Sequence, residues 1–295
     1  MDHIYKNGRA VICGLKAFSL AQCLDSGQAF RFKPRGSGFF GVALGKEVYA
    51  EQSGDRLTLD GLEEQDMSAY IRYFDLERDY AALQRVFCAD PFLREGITYS
   101  GGLRVLRQPL FETLITFIIS ANNNVGRIKR IIDNICRCFG EPLLESFDFP
   151  MPEALALADE HALKECGAGY RARYIKGAAR MVADGFCLAQ VEQMPFGKAR
   201  EALASLPGVG LKVADCVALY GMGFLQAFPY DVWMQRVLCG IYGYTGTTDA
   251  AMRGFVDRTF GPFAGIAQQY LFHYARHHKD AVCPARLEKR QKGLK

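Results

Sequence analysis

The sequence predicts an α+β fold in which a mixed N-terminal region precedes an almost wholly helical one. Residues 39–50 and 56–59 have the composition of strands, and Gly54-Asp55 between them is typical of a hairpin turn. From about Pro109 onward, apolar residues recur with helical spacing. We find no internal repeat, and a chain of 295 residues, 49% of them hydrophobic, is long enough for two domains.

Taken in order, the chain is predicted to form the following elements. Residues 36–38 form a turn, and helices follow at about 66–75 and 79–87. Residues 111–120 form an apolar helix that must be buried. The elements predict an α+β domain over residues 1–105, a helical domain over 106–285 and a basic tail over 286–295.

The composition narrows the class of protein. A net charge of +4 gives only weak support for a polyanionic partner, so local clusters of charge matter more. The ten cysteines are scattered, and none forms a Cys-x-x-Cys pair of the kind that binds zinc. No secretory leader and no long uncharged span is visible. We therefore expect an intracellular, reducing setting without membrane attachment.

Three consecutive asparagines, Asn122, Asn123 and Asn124, follow the buried helix. Asparagine is a good turn and cap former, so one interpretation is a loop that ends in an N-cap. The other interpretation is that these amides enter a disrupted base stack. Arg127 opens a run of basic residues on the next predicted helix, which places positive charge beside the loop.

A second loop begins at Gly167 and Gly169 and continues with Tyr170 and Arg171. Two glycines free the backbone, an aromatic ring can wedge into a gap between bases, and arginine can donate to an unpaired base. The alternative is a helix end that leads into an amphipathic helix with exposed arginines.

The most informative stretch is the tight turn 207–210, which lies between predicted helices at 198–205 and 211–220. The second helix begins with free backbone N–H groups, which favour an anion such as a nucleic acid phosphate. Lys212 lies on its first turn, and Asp231 lies where another helix is predicted to start. Each of these features also has a simpler interpretation. The turn alone is typical of a connector between helices, Lys212 alone is typical of a surface residue, and Asp231 alone is typical of an N-cap.

Together, the turn, Lys212 and Asp231 resemble the lysine-bearing branch of the helix-hairpin-helix DNA glycosylases. Further motifs, in the family's order and across most of the chain, are similar to 8-oxoguanine DNA glycosylases: Ser26–Arg31, Asn122–Arg127, Gly169–Arg173, Leu206–Cys216, Pro229–Val232 and Ala267–Phe272. The resemblance implies an N-terminal antiparallel sheet domain of the TATA-box-binding-protein type and a helical glycosylase domain. The C-terminal region carries only Cys283, so it lacks the four-cysteine iron–sulfur loop of some related glycosylases.

The resemblance makes Lys212 the nucleophile and Asp231 its partner. Cleavage of an N-glycosidic bond leaves positive charge on the sugar, which a carboxylate stabilises while an amine captures C1′. An ammonium cannot attack, so Lys212 must offer a free amine, which burial and a helix N-terminus favour. The covalent product is a Schiff base, through which β-elimination can nick the strand.

For the base itself, the resemblance implies a pocket walled by Phe272 and Cys216, with Gln268 on the Watson–Crick edge. The Gly27 carbonyl would accept the N7–H that 8-oxoguanine has and guanine lacks. By residue type and helical spacing alone, Cys216 and Phe272 are just as typical of a core.

On the DNA side, the resemblance implies that Asn122, beside Asn123, fills the vacated stack and that Tyr170 wedges next to it. Arg127 and Arg171 would bind the estranged cytosine, which predicts a preference for cytosine opposite the lesion.

Phosphate would meet backbone N–H groups around Gly208, Gly210 and Val213. A monovalent cation held by the carbonyls of Leu206 and Val209 is also implied by the family, whereas no catalytic metal is expected. One departure is Trp233, which stands where relatives commonly carry histidine. Trp233 would donate its indole N–H to a phosphate, stack near the base pocket or pack in the core.

The sequence therefore predicts a monomeric enzyme without a cofactor, acting on duplex DNA that contains 8-oxoguanine. Two alternatives stay open. One is a glycosylase for alkylated or other damaged bases, against which Lys212 counts because such an enzyme would use water and Asp231 alone. The other is a hairpin protein that binds DNA without cutting it.

Overall fold

The computed structural model describes residues 2–282, and the predicted basic tail lies outside them. Six strands form one antiparallel sheet with the order β1-β2-β6-β5-β4-β3. Their bounds are β1 Asp2–Lys6, β2 Arg9–Cys13, β3 Phe32–Arg35, β4 Gly38–Ala43, β5 Lys46–Ser53 and β6 Arg56–Asp60.

The turns of the sheet follow from local sequence. The predicted hairpin at Gly54-Asp55 is confirmed, since Ser53 pairs with Arg56 across it. The strand-like segment 39–50 is divided between β4 and β5, because Leu44 and Gly45 both adopt positive φ and form a tight turn. Strands β1, β2 and β3 are not among the elements predicted from the sequence.

Helices make up most of the remaining described chain. Their bounds are α1 Leu20–Asp25, α2 Met67–Tyr73, α3 Tyr80–Phe87, α4 Pro91–Ser100, α5 Leu110–Ser120, α6 Val125–Phe139, α7 Pro152–Leu157, α8 Glu160–Leu163, α9 Ala172–Ala183, α10 Leu188–Glu192, α11 Phe196–Ala204, α12 Leu211–Tyr220, α13 Val232–Gly240, α14 Asp249–Phe260 and α15 Ala264–His277. The predicted α+β class, with an antiparallel sheet followed by a helical region, is confirmed.

Two buried cores organise these elements. The first lies between the sheet, α1 and α2, whereas the second fills the space among the later helices. Side chains of α3 and α4 belong to the second core, although both helices precede the predicted boundary near residue 105. The domain boundaries stay a prediction.

The polypeptide after α1 is tied to the start of the helical region through Gln28. Its buried amide donates to the carbonyls of Cys23 and Arg104, at 3.1 and 2.7 Å, and accepts from the N–H of Leu106 at 2.8 Å. Because three backbone groups fix this side chain, the preceding Gly27 is held at a set position beside α15.

Candidate active site

The hairpin between α11 and α12 is built around two glycines with different requirements. Gly208 has φ +78°, and a Cβ there would lie 2.6 Å from the Cβ of Tyr174, so only glycine fits. Gly210 has φ −82° and open space around it, and it begins α12 without a side-chain cap. The first N–H groups of α12 are therefore left for another acceptor, as an anion site requires.

Lys212 lies on the first turn of α12 and is half-buried. Its Nζ is 3.4 Å from the hydroxyl oxygen of Ser120, at the end of α5, and 5.6 Å from the ring centre of Phe117. The amine is therefore in a partly apolar setting next to the loop of three asparagines.

Asp231 begins α13 as its N-cap and accepts from the N–H of Met234 at 2.9 Å. Burial raises the pKa of its carboxyl above the usual aspartate value, while the N–H groups of Met234 and Trp233 and the charge of Lys212 oppose that shift. The N-cap role that the sequence offered as an alternative is thus present. It does not exclude a catalytic one, since one carboxylate oxygen makes the cap.

The residues predicted to hold the base lie on two helices and one turn. Cys216 follows Lys212 by one turn and is buried, and burial raises the pKa of its thiol to about 12, with Lys212 opposing. Gln268 and Phe272 lie one turn apart on α15, where Gln268 is buried and Phe272 half-buried. A Cβ on Gly27 would lie 3.6 Å from the ring of Phe272, so the turn and this helix face meet.

In the asparagine loop, two of the side chains bind to the backbone and the third is exposed to solvent. Asn124 is the N-cap of α6 and accepts from the N–H of Arg127 at 3.0 Å, and Asn123 donates to the carbonyl of Ile119 at 3.1 Å. Asn122 is exposed and adopts φ +50°, a strained conformation for a residue with a side chain.

Arg171 does not have the exposed side chain that the amphipathic-helix alternative expected in this loop. Its side chain is buried, and its guanidinium donates to the carbonyls of Ala121 and Asn122, the latter at 2.9 Å. In this arrangement Arg171 fixes the asparagine loop, and its contact with cytosine stays a prediction. Tyr170 beside it is 52% exposed, and Arg127 is exposed on the first turn of α6.

Trp233 is half-buried on the first turn of α13, and the guanidinium carbon of Arg236 lies 5.1 Å from its ring centre. The partly buried ring also packs against the hydrophobic core of the helical region. The three roles that the sequence left open for Trp233 therefore all stay predictions.

A buried ion-pair cluster, which is not predicted from the sequence, supports the hairpin. Arg200 on α11 donates to Asp215 on α12 at 2.6 and 3.0 Å and to Asp249 at the start of α14 at 2.7 and 2.8 Å. The cluster ties the two hairpin helices to a third. Asp215 on the otherwise apolar face of α12 was the local signal, because Arg200 lies 15 residues from Asp215 and 49 residues from Asp249.

Fold and site together define a base-excision DNA repair protein. Residues 115–257 match the family profile of the HhH-GPD superfamily base excision DNA repair protein, and residues 10–114 match that of the 8-oxoguanine DNA glycosylase N-terminal domain. A probable N-glycosylase/DNA lyase of Methanothermobacter thermautotrophicus is 36% identical over 69% of this chain and 71% of its own. The N-glycosylase/DNA lyase of Arabidopsis thaliana is 30% identical over a match that covers 86% of this chain and 76% of that protein.

A solved structure is similar over nearly the whole length. The 8-oxoguanine glycosylase/lyase of Clostridium acetobutylicum, in complex with double-stranded DNA containing cytosine opposite 8-oxoguanine, superposes with a TM-score of 0.90 at 32% identity. The match covers 95% of this chain and 99% of that one. The chain belongs to the 8-oxoguanine DNA glycosylase family, and it is an N-glycosylase/DNA lyase. Among residues 2–282, no helix has the length and apolar character needed to cross a bilayer.

Proposed function

We propose that this chain extrudes 8-oxoguanine from duplex DNA, excises it through a Schiff base on Lys212, and then nicks the strand by β-elimination. The observation that carries the proposal is the proximity of Lys212 and Asp231 at two helix starts, where the charge of the lysine acts on the carboxyl of the aspartate. An amine and a carboxylate in one partly buried site are the groups that this chemistry needs.

The reaction divides between these two side chains. The Lys212 amine attacks C1′ as the bond to the base breaks, and the ionised Asp231 stabilises the positive charge that develops on the sugar. The Ser120 hydroxyl, 3.4 Å from Nζ, holds the amine toward the asparagine loop. Loss of a proton from C2′ of the Schiff base then breaks the bond to the 3′ phosphate, which leaves a nicked strand.

Recognition of the base is proposed for four residues. Extrusion from the stack costs a few kcal/mol, which stacking of the base between Phe272 and Cys216 would offset. The neutral thiol of Cys216 is suited to this because it brings no charge into the pocket. Gln268 would bind the Watson–Crick edge, and the unpaired Oε1 of its buried amide is free to accept from it. The Gly27 carbonyl would accept N7–H.

The DNA backbone and the opposite base complete the complex. Phosphate would bind at the uncapped start of α12, around Gly208, Gly210 and Val213. The carbonyls of Leu206 and Val209 lie in the same turn and suit a monovalent cation, although the Leu206 carbonyl already accepts from the N–H of Val209 at 3.1 Å. Arg127 and Arg171 would select cytosine, and Asn122 and Tyr170 would fill the gap. The enzyme would act as an intracellular monomer.

The test is covalent trapping on a duplex with 8-oxoguanine opposite cytosine. Borohydride should reduce the Schiff base and link the wild-type chain to DNA, whereas Lys212→Gln should form no adduct. Lys6→Gln, at an exposed site on β1, is the matched control and should trap normally. An adduct with Lys212→Gln would show that the nucleophile is misassigned, and wild-type protein that leaves 8-oxoguanine in place would overturn the proposed function.

A further inference from the structure

Buried polar atoms that lack a hydrogen-bond partner are concentrated on α15. Among residues 2–282 they are Gln268 Oε1, both amide atoms of Gln269, His273 Nδ1 and Arg276 Nη1. A buried N–H without an acceptor is unfavourable, and such a group in a native site points to a partner that a ligand brings. Gln268, Phe272 and Arg276 follow one another at intervals of four, so all three lie along one face of the helix.

Arg276 extends that face toward the turn that carries Gly27. Its Nη1, the atom without a partner, lies 3.2 Å from the position that a Cβ on Gly27 would occupy. The same position is 3.6 Å from the Phe272 ring and 4.0 Å from a methyl group of Val125. The unsatisfied donor of Arg276 and the aromatic ring of Phe272 therefore both lie next to the backbone of Gly27.

We propose that Arg276 is a further specificity-determining residue, whose Nη1–H donates to the C8 carbonyl oxygen of the extruded base. The inference rests on the proposed function, in which the Gly27 carbonyl accepts N7–H. In 8-oxoguanine the N7–H donor and the C8 carbonyl acceptor are adjacent, so an acceptor on Gly27 with a donor beside it matches that edge. Guanine presents a lone pair at N7, which cannot donate to the Gly27 carbonyl, and a C–H at C8, which offers the guanidinium no acceptor at that position.

Residue 27 must be glycine for two reasons. The φ of Gly27 is +84°, which is strained for a residue with a side chain, and a Cβ at this position would press on the Arg276 guanidinium that needs to face the base. A donor displaced by a few tenths of an ångström would lose part of a hydrogen bond whose strength depends on distance and angle.

The experiment measures binding without turnover, in the Lys212→Gln background. Three duplexes are compared, with 8-oxoguanine, guanine or a stable abasic analogue opposite cytosine. Arg276→Met, which keeps an unbranched chain without donors, should weaken binding to 8-oxoguanine by roughly tenfold and leave the other two unchanged. Arg276→Lys should recover part of the loss. Arg85→Met, at an exposed site on α3, is the control.

Each other outcome is informative. An equal loss on all three duplexes would place Arg276 on the DNA backbone, and a loss shared by guanine would place it on the C6 carbonyl, so either result overturns the C8 assignment. No loss on any duplex would leave Arg276 a packing residue. If the background protein itself does not distinguish 8-oxoguanine from guanine, the proposed function fails and not the role of Arg276 alone.

Discussion

Replacement of Asp231 by asparagine separates its two roles, because only one of them needs a charge. The cap is a hydrogen bond from the N–H of Met234 to one side-chain oxygen, which the amide oxygen of asparagine can also accept. The proposed catalytic role is electrostatic and disappears with the carboxylate. Asp231→Asn should therefore fold normally, whereas Asp231→Ala should lose about 1 kcal/mol of stability with the cap.

The loss of rate follows from Coulomb's law. A carboxylate ~4 Å from a full positive charge, at an effective dielectric constant of ~20, contributes about 4 kcal/mol, or roughly three decades in rate. Single-turnover excision of 8-oxoguanine by Asp231→Asn should therefore fall about 1000-fold. Asp90→Asn alters another aspartate N-cap, that of α4, and should leave the rate unchanged. An Asp231→Asn rate within tenfold of wild type, with unchanged thermal unfolding, would refute the electrostatic role.

Loss of the Asp231 charge, by substitution or by a fall in pH, should raise the stability of the fold while it lowers the rate of excision. Because burial raises the pKa of Asp231 in the folded chain, the folded state binds this proton more tightly than the unfolded state does. Ionisation of Asp231 therefore lowers stability above its folded pKa, and Asp231→Asn should equal or exceed wild-type stability near neutral pH. The difference should shrink as pH falls through the folded pKa and vanish below the unfolded one. Over the same interval, wild-type excision should decline.

Three further predictions follow from the site. Gly208→Ala should lower stability by about 1–3 kcal/mol in thermal unfolding and weaken DNA binding, because its Cβ would lie 2.6 Å from that of Tyr174. Gly210→Ala, whose Cβ would meet open space, should lose less stability in the same unfolding assay. Arg200→Met should cost about 3–5 kcal/mol in denaturant unfolding, because it leaves the buried Asp215 carboxylate unpaired and removes the ion pair with the partly exposed Asp249. Arg127→Ala should narrow the ratio of excision rates opposite cytosine and adenine, and an unchanged ratio would contradict its role.

Local chemistry made much of the helical region predictable. The helices at 211–220 and after Asp231 begin where the sequence places them, because a glycine turn and an aspartate cap act within a few residues. The first three strands were missed for two reasons. β1 and β3 are edge strands of five and four residues that pair only with the next strand along the chain, and β3 contains Pro34, which is uncommon within strands. β2 also pairs with β6, which lies more than 40 residues later, so its neighbourhood in the sequence does not show that it is a central strand.

The contrast between features set by neighbouring residues and features set by distant ones also holds for the site. A resemblance in motifs identified Lys212, Asp231 and the α15 residues, since those motifs are contiguous. Arg200 and Arg276 belong to no such motif, and their importance appears only when distant segments meet. The burial of Arg171 against the Ala121 carbonyl is of the same kind, because the two residues are 50 positions apart.

Several features of this site make the folded chain less stable than it would otherwise be. Asp231 is buried with a raised pKa, Asn122 is held at φ +50°, and Gln268 and Arg276 each bury a polar atom without a protein partner. Each is unfavourable by itself, yet all four lie in or beside the proposed binding site for the extruded nucleotide. The Arg200 cluster and the helical core support the helices that carry these groups. In the proposed complex, the Watson–Crick edge that Gln268 binds is common to guanine and 8-oxoguanine, whereas the C8 carbonyl that Arg276 binds belongs to 8-oxoguanine alone. Arg276, unlike Gln268, would therefore convert binding energy into specificity.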